Sequence, residues 1–197
     1  MTLEILTALC LYAFVTSVTP GPNNVMLMAS GANFGFARTV PHMLGVGIGF
    51  GVMVFLVGVG LMGVFQAIPH SDLALKLVSV VYMLYLAWKI ASASGIDDGP
   101  RGSQPMTFLQ AAAFQWVNPK AWSMALAAIS LYAASQSIGS VAVVAAVFLA
   151  VNIPSVSLWA LAGTQVRRLL SNPAHLRLFN ITMAALLVLS LYPILQH

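Results

Sequence analysis

Thr19-Pro20-Gly21-Pro22-Asn23-Asn24 lies inside a run with no charged residue between Glu4 and Arg38. A membrane helix needs roughly 20 mostly apolar residues, and this run is long enough for one. The hexapeptide breaks it in the middle. Two prolines two residues apart remove two backbone donors and clash with the carbonyls of Thr16 and Val18, and Gly21 between them lets the chain bend. In lipid those carbonyls must find internal partners or line a wet cavity. Asn23 and Asn24 place amide donors and acceptors just beyond the break. The stretch therefore reads either as a substrate or ion site made of open backbone and two amides, or as a kink that the asparagines patch.

The rest of the chain has the same character. Of its 197 residues 60% are apolar and 6% are charged, against about 25% charged in soluble domains. So few charges cannot cover a water-facing surface, and a bilayer is the solvent that suits them. No charge falls between Arg38 and Asp72, or between Lys120 and Arg167. The net charge of +4 does not indicate nucleic acid, because the basic residues sit at span ends rather than in one stripe. Cys10 is the only cysteine, which excludes an intrachain disulfide and a cysteine metal cluster. Met-Thr-Leu-Glu is no basic n-region, so the first apolar segment reads as a retained helix.

Hydropathy and turn residues predict an all-α integral membrane protein of about six spans, over residues 3–30, 39–65, 73–92, 106–133, 139–163 and 176–195. The connections are residues 31–38, 66–72, 95–105, 134–139 and 164–173. The whole chain, 1–197, forms one transmembrane domain. Its most polar stretch, SGIDDGPRGSQ at 94–104, separates half-repeats of about 1–94 and 105–197, with 95–104 as a cytoplasmic linker. Three spans per half place the halves in opposite orientations, and spans 1 and 4 both carry a polar interruption. Paired broken helices are the pattern of an inverted-repeat transporter. Arg38, Lys89, Arg101, Arg167, Arg168 and Arg177 fall beside the loops after spans 1, 3 and 5, against Lys76 alone on the other side. Positive residues stay cytoplasmic, so both termini are predicted to be periplasmic.

The second interruption is Phe114-Gln115-Trp116-Val117-Asn118-Pro119-Lys120. Pro119 frees the carbonyl of Gln115, and Gln115 and Asn118 add polar side chains. Lys120 adds a charge roughly 21 Å into the span, inside a core of about 30 Å. A lysine at that depth is a functional candidate. The acids are Glu4, Asp72, Asp97 and Asp98, all at span ends or in the linker. Lys120 therefore snorkels outward toward Asp72, is uncharged, or meets an anionic group of the substrate. The overlapping pairs Gly45/Gly49 and Gly47/Gly51 predict close helix packing. Asn152 and Pro154 make a further polar kink, with lining of the pathway as the alternative. His42 reads as interfacial, with a proton-sensing role as the alternative. Trp88, Trp116, Trp122 and Trp159 include interfacial anchors. There is no paired catalytic carboxylate, nucleophile with a base, metal cluster or phosphate loop, so the chain reads as no enzyme and implies no cofactor.

TPGPNN at 19–24, ASGANFGF at 29–36 and FQWVNPKAW at 114–122, with LWALAG at 158–163 followed by Arg167-Arg168, resemble the LysE/RhtB family of amino acid exporters over nearly the whole chain. The resemblance implies secondary export of amino acids or close derivatives across the bacterial inner membrane, driven by proton antiport. Pro20, Gly21, Pro22, Asn23, Asn24, Asn118, Pro119 and Lys120 match the family's motifs; Gln115 joins them on its own chemistry. The chain looks nearest the branches that carry neutral amino acids or cysteine/O-acetylserine, in line with the lack of a mid-membrane acid. The partners implied are an amino-acid-like substrate, protons and the lipid bilayer, and a homo-oligomer is compatible with the sequence. The competing readings are a passive small-solute channel, which needs a continuous polar stripe, and a non-transporting membrane subunit, which has no use for two broken helices.

Overall fold

The computed structural model describes residues 1–61, 67, 71–93, 104–133, 137–170 and 172–192. Most of the linker at 95–104, with Asp97, Asp98 and Arg101, lies outside the described residues. The described helices are α1 (Leu3–Val18), α2 (Pro22–Phe34), α3 (Phe36–Leu56, running into a π turn at Val57–Leu61), α4 (Ser71–Ala91), α5 (Phe108–Phe114, with a 3₁₀ turn at Gln115–Val117), α6 (Pro119–Tyr132), α7 (Ile138–Leu169) and α8 (Pro173–Leu189). No described residue is in a strand.

Local chemistry accounts for the helix starts. Thr2, Thr107, Asn118, Ser137 and Asn172 each cap a helix with a side-chain oxygen. Pro22, Pro119 and Pro173 sit in the first turn, where a missing N–H costs nothing. The chain passes from α2 to α3 through Gly35 alone, at φ 81°, a backbone conformation that side chains resist. The predicted connection at 31–38 is thus a single residue. The connection predicted at 164–173 is also shorter, because α7 continues to Leu169. Thr164 Oγ1 bonds back to the carbonyl of Ala160 (3.0 Å) and reaches that of Gly31 (3.4 Å), which ties this turn of α7 to α2.

Polar side chains lie inside while large apolar ones face outward, unlike a water-soluble domain. Asn24, Asn33, His42, Gln115, Asn118, Asn152 and Asn180 are buried, while Leu11, Val81, Trp88, Leu109 and Leu178 are at least 63% exposed. Lipid is the environment that accepts such a face. Three helical stretches are long and apolar enough to cross a membrane alone: Phe36–Gly60, Leu73–Ala91 and Ile138–Leu169. The pair α1–α2, bent by 56° at its break, makes a fourth among the described residues if its two helices form one broken span rather than a re-entrant loop.

Two apolar clusters bracket a polar layer. One contains Leu27, Val46, Leu86, Phe114 and Leu187. The other contains Leu9, Phe50, Trp122, Ala125 and Phe148, with the Phe50 and Phe148 rings edge to face at 5.2 Å. The glycine pairs of α3 divide between two neighbours. Gly45 and Gly49 abut the α5 backbone at Phe108 and Ala112, while Gly47 and Gly51 abut Ile153 and Leu149 of α7. Small residues at these positions let both helices approach closely.

Candidate functional site

Prolines at 20 and 22 cost the end of α1 its helical hydrogen bonds, and each exposed carbonyl finds another donor. Thr16 O accepts from Thr19 Oγ1 (3.0 Å). Ser17 O accepts from Asn24 Nδ2 (2.8 Å). Val18 O accepts from Trp159 Nε1 of α7 (3.0 Å). Thr19 O accepts from Asn24 Nδ2 (2.7 Å) and Lys120 Nζ (2.6 Å). Pro20 O accepts from Lys120 Nζ (3.2 Å). The accounting that a non-aqueous interior demands is complete from Thr16 to Pro20. Trp159 had no sequence signal beyond being a candidate interfacial anchor; only helix packing brings its indole N–H to the break.

The Lys120 side chain is half-buried and turns to the break in the first span, while the Asp72 side chain lies outside the described residues. The Lys120 ammonium donates to Thr19 O, Thr19 Oγ1 (3.0 Å) and Pro20 O, which places a positive charge at the C-terminal end of α1, where the helix dipole is negative. Gly21 makes the path possible. Its backbone is extended (φ 179°) and open to any residue, but a Cβ there would stand 2.6 Å from Lys120 Cδ. Gly21 is therefore the space that the lysine stem occupies.

A second bridge joins the two interruptions. Asn23 Nδ2 donates to Gln115 Oε1 (2.8 Å), and Gln115 Nε2 donates to Asn23 Oδ1 (3.2 Å) and to Ala111 O (2.8 Å). Asn118 accepts from the Lys120 backbone N–H (3.1 Å) and so begins α6 just after Pro119's motif interrupts the span. Pro20 is exposed and Pro22 is buried in the first turn of α2. The structure thus gathers Thr19–Asn24 and Gln115–Lys120, about 100 residues apart in sequence, into one polar layer. Asn152 of α7, absent from the sequence-derived set, completes it. Its Nδ2 donates to Ser17 Oγ (3.0 Å), while its Oδ1 is buried and without a partner.

Between these groups lies a narrow cleft, lined by Ser17, Asn23, Asn24, Asn118, Lys120 and Asn152 among others, with no acid among the described lining residues. It offers one ammonium, one unused amide oxygen and several carbonyls whose donors can be exchanged.

A family model described as LysE type translocator matches residues 14–190. The chain is 31% identical over 191 residues to a cysteine/O-acetylserine efflux protein of Escherichia coli (strain K12), covering 95% of this chain and 96% of that one. It matches proteins of the same name from Shigella sonnei (strain Ss046) at 31% and Escherichia coli O139:H28 (strain E24377A / ETEC) at 30%, with the same coverage. No solved structure matches the chain. With the family model spanning nearly all of the sequence and the motifs gathered in one polar layer, the chain belongs to the LysE type translocator family and is a membrane transporter, not an enzyme.

Proposed function

We propose that the protein exports small neutral amino acids or their close derivatives, such as cysteine or O-acetylserine, across the bacterial inner membrane. The observation that carries this is the Lys120 ammonium, held by the carbonyls of the first break inside a cleft without an acid. A zwitterion suits an exchange there. Its carboxylate takes Lys120, and its ammonium takes the carbonyls that Lys120 leaves, together with Asn152 Oδ1. Each buried polar group then keeps a partner, so opening the contact between the breaks is favourable only with substrate in place. The relatives' names supply the candidate substrates. Efflux of radiolabelled amino acids from proteoliposomes tests the reading: O-acetylserine, cysteine and other short neutral amino acids are exported, and lysine and arginine are not. Faster efflux of the cationic pair would overturn it.

Six crossings serve this cycle: α1–α2, α3, α4, α5–α6, α7 and α8. The 17 residues of α8 reach about 26 Å, close to the hydrocarbon thickness. A 3+3 inverted repeat pairs α1 with α5, α2 with α6, α3 with α7 and α4 with α8. The contacts α1–α7 and α3–α5 exchange under that relation, while α3–α7 and α4–α8 map onto themselves. Proton antiport is the coupling we propose, with Lys120, His42 or the substrate itself as carrier, since the cleft lining holds no carboxylate.

Orientation follows from the charges. Arg167 Nη1 donates to Asn33 O (3.3 Å), the Arg38 guanidinium lies 5.7 Å from the Phe34 ring centre, and Lys89 lines a cavity with both Asn33 and Phe34. This arginine-rich end is the cytoplasmic one, and both termini are periplasmic. In a Cys10→Ala background, a membrane-impermeant thiol reagent added outside should label cysteines placed at Thr2 and Ser137 and spare those at Ala37 and Asn172. The opposite pattern inverts the assignment.

A further inference from the structure

A second, small pocket opens between α2, α3 and α4 at the arginine-rich end. His42 projects into it from α3. Its side chain is 2% exposed, and both ring nitrogens are buried without a hydrogen-bond partner. An imidazole always has one N–H to donate and one lone pair to satisfy when neutral, so leaving both unused in the interior is unfavourable. Lys89 of α4 lines the same space and makes no hydrogen bond or ion pair with a described residue. None of the described lining residues is acidic.

The other polar groups there divide into spent and unspent. Asn33 is spent: its Nδ2 donates to Ala29 O (2.8 Å) and Asn180 Oδ1 (2.6 Å), and its Oδ1 accepts from Asn180 Nδ2 (2.8 Å). Thr39 donates to Gly35 O (2.9 Å), so in the Ser30–Thr39 pair (2.9 Å) the proton is that of Ser30. Ser30 Oγ is left with a lone pair toward the cavity. The unspent groups are thus an ammonium, an imidazole N–H, the second imidazole nitrogen, a hydroxyl oxygen and the exposed side-chain amide of Gln104 at the rim. Met26, Leu86, Ile90 and Met106 supply apolar wall.

We propose that this cavity is a second ligand site, in which Lys89 and His42 take the carboxylate of a small zwitterionic solute and Ser30 accepts from its ammonium. The site is separate from the cleft at Lys120. Its assignment as the loading position on the cytoplasmic face rests on the exporter reading and its orientation; binding itself does not.

The test uses the full-length purified protein, labelled with isotope in its histidines and titrated with O-acetyl-L-serine, L-cysteine and L-alanine in turn. The His42 imidazole signals, identified by their loss in His42→Phe, should shift on addition of at least one of the three. They should shift equally in Lys120→Met, which separates this site from the central one. Lys89→Met, at a half-buried helix end, should weaken the response about tenfold or more, and it remains informative where His42→Phe does not fold. 2-Aminoethyl acetate, which lacks the carboxylate, should leave the signals in place. Signals unmoved by all three probes up to about 50 mM, well beyond a weak millimolar site, overturn the proposal. So does a shift that disappears in Lys120→Met, or one that 2-aminoethyl acetate reproduces.

Discussion

Lys120→Met should stop export while the protein still folds and inserts. Methionine retains most of the apolar stem that fills the space over Gly21 and removes only the charge. Thr19 O keeps its bond from Asn24, so Pro20 O alone loses its donor, and the cleft beside it admits water. The substrate fares worse, because its carboxylate loses the one cation among the described residues that line the cleft. A charge-assisted contact of about 1.5–3 kcal/mol corresponds to roughly a 10- to 100-fold loss of rate, and the loss of specificity for zwitterions compounds it. Lys120→Arg should also fall well below wild type. The guanidinium fork is broader than an ammonium, and the stem that carries it already runs so close to Gly21 that a Cβ there would stand 2.6 Å from Cδ. Efflux from vesicles at matched protein levels decides the matter. Wild-type rates in Lys120→Met would make the lysine a structural cap of α1 and leave transport to the amides.

Gly163→Val should unfold the detergent-solubilised protein or lower its stability by about 3 kcal/mol, the upper range of overpacking costs. A methyl group at Gly163 would overlap the backbone carbonyl of Met28, and one at Gly31 would overlap that of Ala160. Each glycine thus faces the other helix's backbone, which cannot rotate aside as a side chain does. The same contact carries Thr164 Oγ1 to Gly31 O and Trp159 Nε1 to Val18 O, so separating α2 from α7 also strips a donor from the break. Gly31→Ala and Gly163→Ala should be less than additive in combination, because the first already forces the helices apart. Gly139→Ala, where nothing stands within 4 Å, should change stability by no more than about 0.5 kcal/mol. Thermal unfolding followed by size-exclusion chromatography measures all five variants. A stable Gly163→Val protein would show that the α2–α7 approach is not required.

The membrane class and both interruptions were legible in the sequence because their causes are local. A proline removes its own N–H wherever it stands, and a low charge content excludes a water-facing surface in any fold. Pro20–Pro22 and Asn118–Pro119 accordingly end α1 and begin α6 in the structure. Gly45, Gly47, Gly49 and Gly51 announced close packing for the same reason, since the absence of a side chain is a local fact. Two boundaries were misjudged. Residues 31–38 and 164–173 have the composition of loops, but tertiary bonds from Thr164 and Arg167 to α2 hold α7 helical to Leu169.

Partners were not legible. The apolar helices face lipid on one side and other helices on the other, and both surroundings select the same residues. Hydropathy therefore could not say that Trp159 meets Val18, that Asn180 meets Asn33 (2.6–2.8 Å), or that Asn152 enters the cleft. Lys120 shows the division most clearly. Its depth and its want of a nearby acid follow from the sequence alone, and its three possible fates stayed open there. The tertiary structure added a partner that none of the three named, because the bend at Thr19–Pro20, packed against α6, sets the carbonyls of Thr19 and Pro20 within reach of the ammonium and leaves Gly21 as the gap through which the stem passes.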